Sequence, residues 1–239
     1  MNEVSIPPNV LLSGIVGSTA YGLATEDSDV DRLGVFAAPT ERLVGLHPPQ
    51  PSVVSSKPDA TFHEAGKFAA LALKVNPTIT ELMWLPDDLY ETRTGLGSAL
   101  IAIRSSFLSQ KAVRNAYLGY ATQQFRRLEN RGDGSFSADT RKRTAKHARH
   151  LARLVRQGME LYGSGTLTVR LEDPEFYRDF GERVATGDLD AGSAEIGRAE
   201  RWMNGTESPL PDKPDEGAAE FWLQMVRRKH YGHYEMRAG

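Results

Sequence analysis

Apolar positions along this chain follow two regimes. Up to about residue 90 they come in short runs separated by turn residues, and beyond residue 95 they recur with helical spacing. Residues 10–16 and 31–37 are compact apolar runs bounded by Pro, Gly and Asp, the pattern of buried strands in a mixed sheet. Between them, Gly17-Ser18 ends the first run and a short helical turn returns through Gly22. Four of the thirteen prolines lie between 39 and 52, which makes that stretch a loop. Short strands are expected around Ser52–Ser56 and Asp59–Phe62, then a helix opened by His63-Glu64 that carries Phe68, Leu71, Ala72 and Val75 inward and stops before Pro77.

The second regime predicts helices over 111–130 and from Ser137 to Tyr162, with a turn at 131–134 between them and Gly163 as the stop. On the longer helix, Ala148, Leu151, Ala152, Val155 and Met159 share one apolar face. Lys142, Lys146, Arg149, Arg153 and Arg156 share another, a basic stripe roughly 20 Å long at 1.5 Å per residue. A short strand at Leu167–Leu171, a helix from Pro174, loops over 187–217 around a short helix near 195–203, and a last helix at 218–231 with Phe221, Trp222, Met225 and Val226 inward complete the reading. The fold class is α+β: a small mixed β-sheet domain over 1–92, then a mainly helical domain over 93–239, with the active site expected in the cleft between them.

Composition narrows the function. With 239 residues, 40% hydrophobic and 25% charged, the chain can bury a core. Its net charge of −2 exerts no global pull on nucleic acid, but residues 171–220 hold fourteen acids and five bases, leaving the remainder at about +7. The absence of cysteine removes disulfides, thiolate zinc sites and thiol nucleophiles. No run approaches a membrane span and the N-terminus lacks a basic, then apolar leader, so a cytoplasmic protein without membrane contact is the expectation.

The chemistry concentrates in residues 11–39. If the second run is a strand from Asp29 onward, Asp29 and Asp31 project to one side, and two carboxylates so placed call for a cation, Mg²⁺ being the usual occupant beside phosphates. Gly17 lets a ligand approach the backbone, and Ser18 follows it at a helix start where N–H groups suit phosphate oxygens. His147 and His150 stand three apart on the basic helix without acids on their face. That argues for packing or a nucleotide contact rather than a metal.

Gly17-Ser18, a spacer of ten residues, then Asp29-Val30-Asp31 at a strand start resembles the signature of the DNA polymerase β nucleotidyltransferase superfamily. Lys67-Phe68, Asn76-Pro77 and Glu81-Leu82-Met83-Trp84 are similar to one branch of it, bacterial and phage nucleotidyltransferases linked to RNA repair, over roughly residues 10–170. The resemblance implies Asp29, Asp31 and Asp59 as catalytic Mg²⁺ ligands, with Mn²⁺ as the substitute ion and Glu64 competing with Asp59 for the third place. It also implies an NTP such as ATP held through Gly17, Ser18 and Lys67; the basic stripe read from helical spacing, with Lys146 and His150, is either a solvated face or a track for nucleotide or RNA. The expected reaction is transfer of NMP to an RNA hydroxyl with loss of pyrophosphate. Protein or small-molecule acceptors, and a non-catalytic regulatory protein of the same fold, are the alternatives, and oligomeric state is open.

Overall fold

A computed structural model describes residues 6–26, 28–56, 59–129 and 138–232. The chain separates into two compact units, one formed by the described residues of 1–107 and 214–239 and the other by 108–213. The sequence reading divided the chain after residue 92; the units part after Phe107, and residues from Pro214 onward return to the first.

The first unit is built on a five-stranded mixed sheet. β1 (Val10–Val16), β2 (Asp31–Phe36), β3 (Ser52–Ser56), β4 (Asp59–Glu64) and β5 (Tyr90–Arg93) lie in the order β3-β4-β2-β1-β5. β2 and β4 are parallel, with Arg32 beside Ala60 and Phe36 beside Glu64, while the other pairs are antiparallel. The β1–β2 register sets Val16 opposite Asp31. Gly34 stands in the middle of β2 because the Phe62 ring of β4 occupies the space a Cβ would take. Phe36, Ala38, Ala60 and Phe62 form one apolar cluster there, with Val10, Leu43 and Val53 against it.

Short helices join the strands: α1 (Gly17–Tyr21), α2 (Thr40–Leu43), α3 (Ala65–Ala72), α4 (Pro77–Leu82) and α5 (Gly95–Ala102). α4 has its Pro at the first position and Asn76 as cap, accepting from the Ile79 amide at 3.3 Å. α3 begins two residues later than expected, since His63 and Glu64 finish β4 and the Glu64 carboxylate caps the helix at the Gly66 amide, 2.8 Å away. β5 was not anticipated: its four residues alternate half-buried and exposed, and no apolar run announces them.

The second unit is helical: α6 (Gln110–Glu129), α7 (Ala138–Ser164), α8 (Pro174–Ala185) and α9 (Asp190–Gly205). Ala148, Leu151, Ala152 and Val155 of α7 are fully buried, as their spacing predicted. The turn expected at 131–134 and the Ser137 cap lie outside the described residues. Leu167–Leu171 is not a strand. Its side chains alternate as a strand's do, but Glu160 accepts from the Thr168 amide at 3.1 Å and Gln157 donates to the Thr168 carbonyl at 3.1 Å, so side chains of α7 take the place of a partner strand. α9 spans sixteen residues where a shorter helix was expected. No helix among the described residues is long and apolar enough to cross a membrane.

α10 (Glu216–Lys229) closes the first unit, packing on α3 and α5. Trp222 is buried and donates its indole N–H to the Leu96 carbonyl at 2.9 Å, whereas Phe221, expected inward, is 60% exposed. Arg227 grips both oxygens of the buried Glu64 carboxylate, 2.9 Å at Oε2. Removing one member of a buried, two-pronged pair strands the other. Arg227→Ala should therefore lower unfolding free energy by about 3 kcal/mol. Exposed Arg228→Ala should change it by about 0.5 kcal/mol or less; denaturant melts of the two variants check this.

Candidate active site

The β1–α1 turn lies against a carboxylate at the start of β2. Gly17 has φ of +70°, a left-handed conformation that suits glycine, and a Cβ there would overlap an Asp31 carboxylate oxygen and stand 3.0 Å from its Cγ. The Asp31 side chain thus lies directly on the Gly17 backbone. α1 then carries Ser18, half-buried, and ends at Gly22 (φ +76°), whose amide donates to the Thr19 carbonyl. No side chain caps the start of α1. The turn is tied from below: Tyr21 donates its hydroxyl to the Glu81 carboxylate of α4 at 2.6 Å, and Glu81 is completely buried.

Asp31 is the first residue of β2 and Asp59 the first of β4. The parallel register begins with Arg32 beside Ala60, and Asp31 and Asp59 each stand one residue before that pair, at the starts of neighbouring strands about 4.8 Å apart. Asp59 is exposed and Asp31 half-buried. Asp29 does not share the strand with Asp31 as expected, since β2 starts two residues later and Asp29 is exposed in the segment before it. Among the described residues no three His, Asp or Glu groups are gathered into a ready cluster for a metal ion. The donor chemistry at Asp29, Asp31 and Asp59 is nonetheless that of a hard cation, all carboxylate oxygen without sulfur or imidazole.

Glu64 and Lys67 sit at the other end of β4. Asp59 pairs with Ser56 and His63 with Ser52, so Lys67, whose ammonium donates to the Ser52 hydroxyl at 2.7 Å, lies about four residues, roughly 13 Å, along the strand from Asp59. The Ser52 hydroxyl also meets His63 Nδ1 at 2.8 Å, and burial, then the Lys67 charge, holds the His63 pKa below its usual value. Lys67 is not brought together with the aspartates. Both Glu64 carboxylate oxygens are engaged, by Arg227 and by the cap of α3.

Residues 2–175 match the model of RlaP, the RNA repair pathway DNA polymerase beta family. The chain belongs to this family. It is a family of polymerase β-like nucleotidyltransferases, and membership supports that role for the chain. No curated protein matches it.

The RlaP-family region extends into the second unit and includes Lys146 and His150 of α7. Lys146 is exposed. His150 accepts from Arg153 at Nδ1, 2.9 Å, and its pKa is lowered to about 3, first by burial and then by Arg153, His147, Arg127 and Lys146, so it is neutral at pH 7. His147 meets Gln124 Oε1 at 2.8 Å. The basic stripe is open only in part: Lys142, Lys146 and Arg156 are exposed, while Arg149 is half-buried and Arg153 buried. Arg153 is 1% exposed and donates to Gln157, Arg149 packs across Gly181 of α8, and the Arg156 guanidinium lies 3.8 Å from the Phe176 ring centroid. Sequence reasoning missed Tyr21 with Glu81, and Arg227 with Glu64; only the ionisable residues themselves, set in apolar surroundings at 81 and 64, could have signalled them.

Two outcomes follow. Gly17→Ala should cost about 1–2 kcal/mol from the left-handed backbone alone and displace the Asp31 carboxylate. Gly95→Ala, with open space around it, should leave the denaturant midpoint close to the parent's or raise it slightly. For His150 the folded pKa lies below the unfolded 6.5, so its contribution to stability is complete above pH 6.5 and declines as pH falls towards 3, by at most about 1.4 kcal/mol per unit. His150→Gln should flatten the unfolding free energy between pH 6.5 and 4, read by urea titration at each pH.

Proposed function

We propose that this protein is a metal-dependent nucleotidyltransferase that moves a nucleoside monophosphate from an NTP to a hydroxyl of RNA and releases pyrophosphate. The observation that carries the reading is the Asp31 carboxylate seated on Gly17 with Asp59 at the start of the neighbouring strand, in a chain of the RlaP family. The family's description as part of an RNA repair pathway supports RNA as the acceptor.

In this reading Asp29, Asp31 and Asp59 hold Mg²⁺, or Mn²⁺ in its place, and the bound ion supplies neutralisation of phosphate charge and a lowered pKa for the acceptor hydroxyl. The chain's own groups do the rest. The Ser18 hydroxyl donates to a phosphate oxygen, and the glycine at 17 lets the triphosphate approach the backbone without a Cβ between them. Asp59, the more exposed of the two strand-start acids, takes the acceptor's proton as its oxygen bonds to the α-phosphorus. The bond from α-phosphorus to the bridging oxygen breaks, and pyrophosphate carries away the electron pair. The Tyr21–Glu81 bond keeps α1, and so Ser18, at a fixed height over Asp31.

The test is incubation of the full chain with each α-labelled NTP, Mg²⁺ and total RNA, beside reactions without RNA or with chelator. Label should enter RNA from one preferred NTP, vanish with chelator, and fall to background in Asp29→Ala/Asp31→Ala, whose melting temperature should stay near the parent's because both groups are at least partly exposed. Label on protein would reassign the acceptor, and undiminished labelling in the double variant would overturn the roles of Asp29 and Asp31.

A further inference from the structure

β3 is the last strand on one side of the sheet. The Glu64 amide donates to the Pro51 carbonyl at 3.0 Å, so in the alternation of an antiparallel pair residues 51, 53 and 55 turn their backbone groups towards β4. Those of Ser52, Val54 and Ser56 therefore turn outward, and among the described residues no other backbone group meets them. Such an edge is a template for a further strand, and sheets commonly blunt it with charge, proline or a bulge. β5, at the opposite edge, carries Glu91 and Arg93, both in ion pairs, and its register with β1 shifts between Ser13 and Gly14. β3 has none of these. Its five residues are uncharged, its register with β4 is regular, and the nearest prolines, Pro51 and Pro58, stand outside it.

The side chains of β3 divide between the two faces. Val53 packs against the cluster around Phe36 and Phe62, whereas Val54, on the other face, is 70% exposed. The Ser52 hydroxyl is already held by Lys67 and His63. What the strand offers outward is therefore backbone, with one apolar side chain at its middle. Val44 and Leu46, on the segment that leads into β3, are exposed as well.

We propose that two copies of this chain join through β3, antiparallel, about a two-fold axis at Val54, so that their two sheets become one. In that register Val54 faces the partner's Val54 and Ser52 faces the partner's Ser56. The outward residues 52, 54 and 56 are symmetric about the axis, so each facing pair exchanges two main-chain hydrogen bonds and every outward donor meets an acceptor. A second copy suits the edge because the strand is uncharged: no like charges meet across the axis, and a net charge of −2 opposes approach only weakly. A charged segment of another protein finds no counter-charge on β3. The two-fold pairing closes on itself, and the charged, shifted β5 edge does not extend it, so association stops at two. The interface rests on the sheet alone and is independent of the nucleotidyl-transfer reading.

Sedimentation equilibrium of the full chain at about 1 μM and about 100 μM tests it. The mass should rise with concentration from one chain of 26.4 kDa towards twice that value. Val54→Lys sets like charges opposite each other at the axis and should weaken association about tenfold or more, whereas Phe221→Lys, the same charge placed at another exposed apolar residue, should not alter it. Circular dichroism confirms the fold of each variant. Oxidation reads the register, since the chain has no cysteine and facing residues of a hydrogen-bonded pair lie about 5.5 Å apart at Cα, within disulfide reach. Val54→Cys should cross-link into a dimer, and Ser55→Cys, two residues out of step with its own copy, should not. A single-chain mass at both concentrations overturns the proposal and leaves the edge to a strand of other sequence. So does a dimer that Val54→Lys leaves intact, or cross-linking no stronger at position 54 than at 55.

Discussion

The parallel pairing of β2 with β4 is the constraint from which the arrangement of the first unit follows. Parallel neighbours require a crossover, and the chain supplies it through α2 and the edge strand β3. That crossover fixes a single offset between the two strands, and the offset alone decides that Asp31 and Asp59 each fall one residue before the first pair and Glu64 beside Phe36. The two carboxylates of β4 consequently have opposite surroundings. Asp59 is left exposed at a strand start, and Glu64 is buried where an arginine must answer it.

Charge is handled differently in the two units. In the first, the buried acids Glu81 and Glu64 are satisfied by a tyrosine hydroxyl and a bidentate arginine, so each fixes a helix to the sheet region. In the second, arginines of α7 are drawn into packing. Arg153 is buried among side-chain acceptors, and Arg149 and Arg156 lie across a glycine and a phenylalanine of α8. A long cationic side chain here behaves largely as an apolar stem with a polar tip.

The strands around Gly17 were readable because short apolar runs bounded by turn residues admit few other interpretations, and the proximity of Gly17 to Asp31 follows once those runs pair antiparallel. The α7 core face was readable from its period. What failed was non-local. β5 consists of Tyr90-Glu91-Thr92-Arg93, four mixed residues whose strand character comes from pairing with β1 and from Arg32 reaching Glu91 at 2.8 Å. Lys67 was placed near the phosphates on the family resemblance alone, and spacing could not show that its ammonium meets the Ser52 hydroxyl. The basic stripe was a correct period with an unknown neighbour: spacing reveals a face, but only the fold reveals that Arg153 is buried and Arg149 lies against α8 while Lys142, Lys146 and Arg156 stay exposed. Leu167–Leu171 shows the converse, a strand's alternation without a strand to pair with.

The return of α10 to the first unit has a consequence for synthesis. Residues 1–107 leave the ribosome early, but Arg227 is encoded about 120 residues later, on the far side of the whole second unit. At roughly 5–20 residues per second the nascent sheet would wait on the order of ten seconds with Glu64 unanswered and the Leu96 carbonyl without its tryptophan. The second unit, continuous in sequence, can complete itself during that interval. Vectorial folding of this protein therefore finishes the inserted helical unit first and seals the older sheet last.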